Sequence, residues 1–243
     1  MKKLLLIALC VAGLQSLQAQ KVYAWWDAGV KASYGLTGFL NSKLINDKNY
    51  SYHLNSGGAV GAKFGMYFGL NNGITFDFMY SGYKQGFDYD LANATIDHNV
   101  IWKNYDLALL YRHQSNGSYI ELGPQMSLVR SVKNEYSNNV DNGDVTGSYN
   151  KKYYSAIFGV GGYIFGYENF TLMMGLRLGY ALTDFVNDSG KTLNFPTPNQ
   201  AAKTAKDAST NPAFVQLVLE ANLGLGQYAK TSCSKRAHLF SSF

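Results

Sequence analysis

The sequence predicts an all-β fold, an eight-stranded antiparallel up-and-down transmembrane β-barrel, and three observations carry that prediction. Eight stretches alternate apolar with small or polar residues at period two, and the connections between them are short and long in turn. Charged residues make up only 15% of the 243-residue chain while aromatics also reach 15%. A charged share well below the usual value of about 25% leaves too few ions to cover an ordinary water-facing surface. The mean hydropathy of −0.16 argues equally against a bundle of membrane helices. Something apolar must cover the surface without long apolar runs.

Residues 1–19 read as a secretory signal peptide: Lys2 and Lys3 form a basic start, Leu4 to Leu14 an apolar stretch, and Ala19 the last residue before cleavage. Attachment of lipid at Cys10 is disfavoured because bulky Leu9 precedes it and it lies within the apolar stretch. Residues 20–228 form the expected outer-membrane barrel and 229–243 a C-terminal tail containing Cys233. Two cysteines supply neither a disulfide framework nor a cysteine metal site. The net charge of +5 is spread thinly, with no basic block among stacking aromatics, so nucleic acid is not expected as a partner.

The segments follow in order. About 22 to 38, Val22, Ala24, Trp26, Ala28, Val30, Ala32 and Tyr34 oppose Asp27, Lys31 and Ser33. About 57 to 70, Val60, Ala62, Phe64, Met66, Phe68 and Leu70 oppose Gly61, Lys63, Gly65 and Tyr67. About 73 to 84, Ile74, Phe76, Phe78 and Tyr80 oppose Thr75, Asp77 and Ser81; about 100 to 112, Tyr105, Leu107, Leu109 and Tyr111 oppose Asp106, Ala108 and Arg112. About 118 to 131, Ile120, Leu122, Met126 and Leu128 oppose Glu121, Gly123, Gln125 and Ser127. About 152 to 166, Tyr154, Ala156, Phe158, Val160 and Ile164 oppose Ser155, Gly159 and Gly161. About 169 to 183, Phe170, Leu172, Met174, Leu176, Leu178 and Tyr180 oppose Thr171, Gly175, Arg177 and Gly179. About 213 to 227, Val215, Leu217, Leu219, Ala221, Leu223 and Leu225 oppose Gln216, Glu220 and Asn222.

Short turns are expected at Asn71-Asn72-Gly73, His113 to Gly117 and Tyr167-Glu168-Asn169, and long polar loops at about 39 to 56, 85 to 99, 132 to 151 and 184 to 212. That asymmetry is expected of an outer-membrane barrel with periplasmic termini. The run Tyr153 to Leu176 could fill a helical membrane window, but Gly159, Gly161, Gly162 and Gly166 weaken a helix, and both halves keep strand alternation.

Alternation alone does not choose between a soluble barrel and one turned inside out for lipid. Volume decides, because eight strands enclose a space just wide enough for side chains, which the Trp, Phe, Leu and Met set would overfill. The opposite face carries Asp27, Asp77, Asp106, Glu121 and Glu220 against Lys31, Lys63, Arg112 and Arg177, a set suited to a polar, largely closed lumen in which ions find partners. Tyr34, Tyr80, Tyr105, Tyr154 and Tyr180 are expected in the outer aromatic girdle, and Lys84, Lys103, Arg130 and Lys152 on the same rim as lipopolysaccharide contacts.

A signal followed by eight amphipathic strands with Gly-rich inward faces and the pair Trp25-Trp26 near the start resembles the outer-membrane β-barrel domain family common in Bacteroidetes, which includes PorT-like proteins and is similar in architecture to OmpA and OmpX barrels. The resemblance covers about 21 to 228 and implies insertion by the outer-membrane assembly machinery; some PorT-like members support protein secretion. The chain departs from that pattern in its basic tail, Lys230 to Phe243, after the last strand.

Catalytic chemistry is not expected. Ser189-Gly190-Lys191-Thr192 has the spelling of a phosphate loop but Phe185 stands where its first glycine belongs. Gly159 to Gly162 lies in a strand with no following helix. His53, His98, His113 and His238 lack metal spacing and read as loop histidines, and the Asp97-His98 pair does not place a nucleophile. Neither a cofactor nor a metal is expected. The expected protein is noncatalytic, lies in the cell outer membrane among lipid and lipopolysaccharide, and presents long loops to a protein partner or for envelope organisation, without a wide pore. The alternatives are an accessory factor in protein secretion and a lipid A-modifying enzyme.

Overall fold

The computed structural model describes residues 23–91, 94–139, 141–198 and 205–229. The expected signal, Cys10, Cys233, His238 and the tail beyond Ala229 lie outside them. Eight long antiparallel strands close on themselves: β1 (Tyr23–Leu40), β2 (Ser51–Phe68), β3 (Asn72–Leu91), β4 (Ala94–Ser115), β5 (Ser118–Tyr136), β6 (Lys152–Tyr167), β7 (Phe170–Ala181) and β8 (Asn211–Ala229). Each pairs with its chain neighbours and β8 returns to β1, so the ring has no free edge. A two-residue strand, Gly143–Asp144, lies against β5 outside the ring.

The turns at one end are tight. Asn116 and Gly117 join β4 to β5 with φ of 51° and 79°, the paired left-handed conformations that match a hairpin's twist and that Asn-Gly adopts at least cost. His113, placed in this turn by the sequence, belongs to β4 instead.

At the other end the structure corrects the expected loops. Residues 51–56, 85–91, 94–99 and 132–136 are strand. β4 alone has 22 residues where about 9–11 cross a bilayer, so the barrel wall continues far past a membrane's thickness. Along β3, Ile74, Phe76, Phe78 and Tyr80 are exposed and Thr75, Asp77 and Ser81 buried; further on, Tyr83, Phe87 and Tyr89 are buried while Asp90 is exposed. Side-chain direction does not change, but polarity exchanges faces. The first zone suits lipid outside and polar groups within; the second suits water outside and an apolar core within.

The remaining connections cap this second zone. Helix α1 (Ser42–Ile45) follows β1, with Asn41 Oδ1 accepting from the Lys43 and Leu44 amides at 3.0 and 3.3 Å, which satisfies two of the helix's free donors. Helix α2 (Asp188–Thr192) and a 3₁₀ turn (Ala205–Asp207) lie between β7 and β8, and the phosphate-loop look-alike is part of α2. Asn41 also donates through Nδ2 to Ala205 O at 3.0 Å and Thr210 Oγ1 at 2.9 Å, joining the two caps.

Candidate functional site

All nine charged residues expected in the lumen are at most 5% exposed, and they are the only buried Asp, Glu, Lys or Arg among the described residues. Eight of them form one network. Lys31 Nζ lies 2.7 Å from Asp77 and 3.1 Å from Glu220; Lys63 Nζ lies 3.0 Å from Asp27 and 2.8 Å from Glu220. Arg112 reaches Glu121 and Glu220, each at 2.7 Å, and Arg177 reaches Glu121 at 2.5 Å and Asp77 at 2.9 Å. Each cation thus bridges two carboxylates, and the web ties together every strand except β6. That strand contributes space: a Cβ at Gly159 would come within 2.7 Å of the Glu121 side chain.

The ninth, Asp106, is a correction to the expected network. It is buried in the lumen, but its contact is with the Tyr83 hydroxyl at 3.3 Å and not with a cation. Its row lies nearer the outer end, where the lumen changes character.

There the polar lumen expected from the sequence gives way to aromatics. Phe185, from the β7–β8 connection, packs against Tyr149 at 4.7 Å, Tyr153 at 5.3 Å, Phe39 at 5.5 Å and Trp102 at 5.9 Å between ring centroids. Phe39 stacks on Trp102 at 4.5 Å, and Leu44, Phe87, Val100 and Val132 belong to the same cluster. Sequence reading missed this layer because Phe87 and Phe185 fall in segments whose polar outer face marked them as loops. The alternation of buried Phe87 and Tyr89 with Asp88 and Asp90 was the signal available.

Of the expected loop histidines, His98 is 1% exposed and stacks on Tyr136 at 4.2 Å and 9°. Burial pushes its imidazole down to about 4, opposed by the Asn134 amide. Asp97 points to the opposite, exposed face, so the adjacent pair does not converge. His53 lies 2.6 Å from Asp88 as an exposed pair. No group of three or more His, Cys, Asp or Glu side chains placed to hold a metal ion occurs among the described residues.

On the outside, Tyr34, Tyr80, Tyr105, Tyr154 and Tyr180 are all exposed, with Tyr80 and Tyr105 paired across strands at 5.4 Å. Lys103, Arg130 and Lys152 are exposed and Lys84 half-buried, and the four fall on β3 to β6. Lys152 Nζ sits 6.0 Å from the Tyr154 ring centroid. On the other side of the barrel Leu36 and Leu40 lie beyond Tyr34, and Leu182 beyond Tyr180, all exposed. Higher on the wall a groove of about 560 Å³ opens between β4, β5 and the following connection, lined by Asp97, Asn99, Lys133, Glu135, Asn139 and Asn142 among others.

Fold and site together define a transmembrane eight-stranded β-barrel whose lumen is filled by a charge network and an aromatic layer. No family model matches the chain, and no curated protein matches it. Among solved structures it is similar to Neisserial surface protein A at 12% identity, over 82% of this chain and 97% of that one, with a TM-score of 0.40. It is also similar to the outer membrane protein OprG from Pseudomonas aeruginosa at 10% identity, covering 86% and 97% with a TM-score of 0.37. Ail, the attachment invasion locus protein of Yersinia pestis, matches at 13% identity over 83% and 99% with a TM-score of 0.36.

Proposed function

We propose that this chain is a noncatalytic integral protein of the cell outer membrane that holds a folded, water-facing extension above the bilayer for binding, and forms no wide pore. The observation carrying this reading is the exchange of polarity along continuous strands. Phe76 and Phe78 are exposed where lipid would cover them, whereas Phe87, farther along β3, is fully buried. A protein serving only as an anchor has no need of a packed second storey. The groove beside Asn99, Lys133 and Glu135 offers amides and charges of both signs, which suits a polar or hydroxyl-rich partner. The exposed Lys103, Arg130 and Lys152 and the half-buried Lys84, on β3 to β6, carry the charge that phosphate-bearing lipopolysaccharide would need, which supports a contact there. Insertion by the outer-membrane assembly machinery is part of the same reading.

A deletion strain tests the surface role: changed adhesion or envelope integrity is expected. Loss of secreted cargo would instead favour a PorT-like accessory role, and altered lipid A an enzyme. Planar-bilayer recording tests the absence of a pore, and a steady large conductance would refute it.

A further inference from the structure

We propose that the cluster around Asp106 binds one monovalent cation inside the lumen. The first ground is charge. Buried among the described residues are five carboxylates, Asp27, Asp77, Asp106, Glu121 and Glu220, and four cations, Lys31, Lys63, Arg112 and Arg177. The four cations are engaged with the other four carboxylates at 2.5 to 3.1 Å, which leaves Asp106 as the one buried carboxyl group with no cation in contact. A carboxylate removed from water without a charge partner is strongly disfavoured.

The second ground is the donor set. Asp106 is 2% exposed, and Asn104, Ser81 and Ser127 are fully buried. Strand register sets Ser81 opposite Asn104 and Ser127 opposite Asp106. The Ser81 and Ser127 hydroxyls face the Asp106 carboxylate. Asn104 donates through Nδ2 to the Tyr153 hydroxyl at 2.9 Å, which turns its Oδ1 away from that bond. Asn104 Oδ1 and Asp106 Oδ1 have no hydrogen-bond partner within the geometric limits of a good bond. One carboxylate with surrounding hydroxyl and amide oxygens is the ligand set of a hard cation. A single positive charge brings the buried total to zero, whereas a divalent ion would leave it positive. The aromatic layer on one side and the ion pairs on the other restrict exchange, so the ion would be taken up as the barrel closes.

The test uses the full chain inserted in lipid vesicles in sodium chloride or in choline chloride at equal ionic strength. Unfolding is followed by heat-dependent gel mobility. A higher midpoint in sodium is expected, with the difference lost in Asp106→Asn and kept in Asp88→Asn, whose carboxylate lies on the outer wall. Crystals grown with thallium(I) should show an anomalous peak beside Asp106. If Asp106→Asn fails to insert, Ser81→Ala keeps the carboxylate and should lower the thallium occupancy. Equal midpoints in both salts, no thallium peak at Asp106, or occupancy unchanged in Ser81→Ala would overturn the proposal. So would an infrared band of a protonated carboxyl in the parent protein that Asp106→Asn lacks, since the compensating charge would then be a proton.

Discussion

Glu220 accepts from Arg112 and Lys63 and lies 3.1 Å from Lys31, more cations than any other carboxylate in the lumen meets. Replacing it with Gln keeps the shape but strands positive charge in a water-poor interior, where breaking a buried pair costs about 3–5 kcal/mol. Urea unfolding in vesicles should show a loss of that order for Glu220→Gln, and a smaller loss when Lys31→Met accompanies it, because the surplus positive charge is then removed while Asp77 keeps Arg177. His98 makes the opposite case, a neutral group that must not charge. Its surroundings are Phe87 on β3 and Asn134 and Tyr136 on β5, with no buried carboxylate in contact to welcome a proton; the Tyr136 hydroxyl is itself held well above its ordinary range by burial. The unfolded imidazole takes up a proton near pH 6.5, but the folded one only at about 4. Between those values the unfolded chain binds more protons, so stability is complete above pH 6.5 and falls as pH is lowered toward 4, by at most about 3 kcal/mol. Hydrogen exchange of the β4 and β5 tips across that window should show the loss, and His98→Phe should flatten this component.

At the level of strands, what could be read from the sequence depended on whether a single rule held from end to end. Within the lipid zone it did: Phe76, Asp77 and Phe78 reveal both faces, and the nine charged lumen residues stood out because little else on the inward face is ionisable. Beyond Tyr80 the rule inverts, and the Lys84, Asp88 and Asp90 side of β3 looks like a polar loop unless Tyr83, Phe87 and Tyr89 are read as its inner face. On β5 the break is sharper. Register shifts where Lys103 pairs with Ser131 and Asn104 with Val129, so Arg130 is an extra residue that changes the parity of the buried positions. The isolation of Asp106 was not legible, since ion pairing depends on tilt and side-chain reach across the lumen. Arg130, with Lys84, Lys103 and Lys152, also gives the barrel a basic side. Changing all four to Gln should reduce lipopolysaccharide bound after extraction while leaving heat-dependent gel mobility intact, because cations at the surface with no ion-pair partner add little to stability. Unchanged lipopolysaccharide would remove these residues from any lipid-binding role.

For the molecule as a whole, the two lumen layers act in series. Ions crossing the barrel would have to pass both the web around Glu220 and Arg112 and the cluster around Phe185 and Trp102. On the proposed reading of a barrel without a wide pore, opening either alone would leave the other shut, so closure would be insensitive to single lesions in a way that one narrow constriction is not. Phe185→Ala removes the ring that four other aromatics meet, and large-to-small changes of this kind cost about 3–5 kcal/mol. Its cost falls on the water-facing storey, whereas the charge network lies lower and depends on β1 to β5, β7 and β8 for its members. Hydrogen exchange in Phe185→Ala should therefore rise at residues 83–89, 96–102 and 132–136 and stay low at 74–80 and 105–111. Planar-bilayer conductance of the same variant should remain at baseline. A channel opened by Phe185→Ala alone would mean that the ion network passes ions once the aromatic layer is gone, and that the upper storey is a gate and not a second stopper.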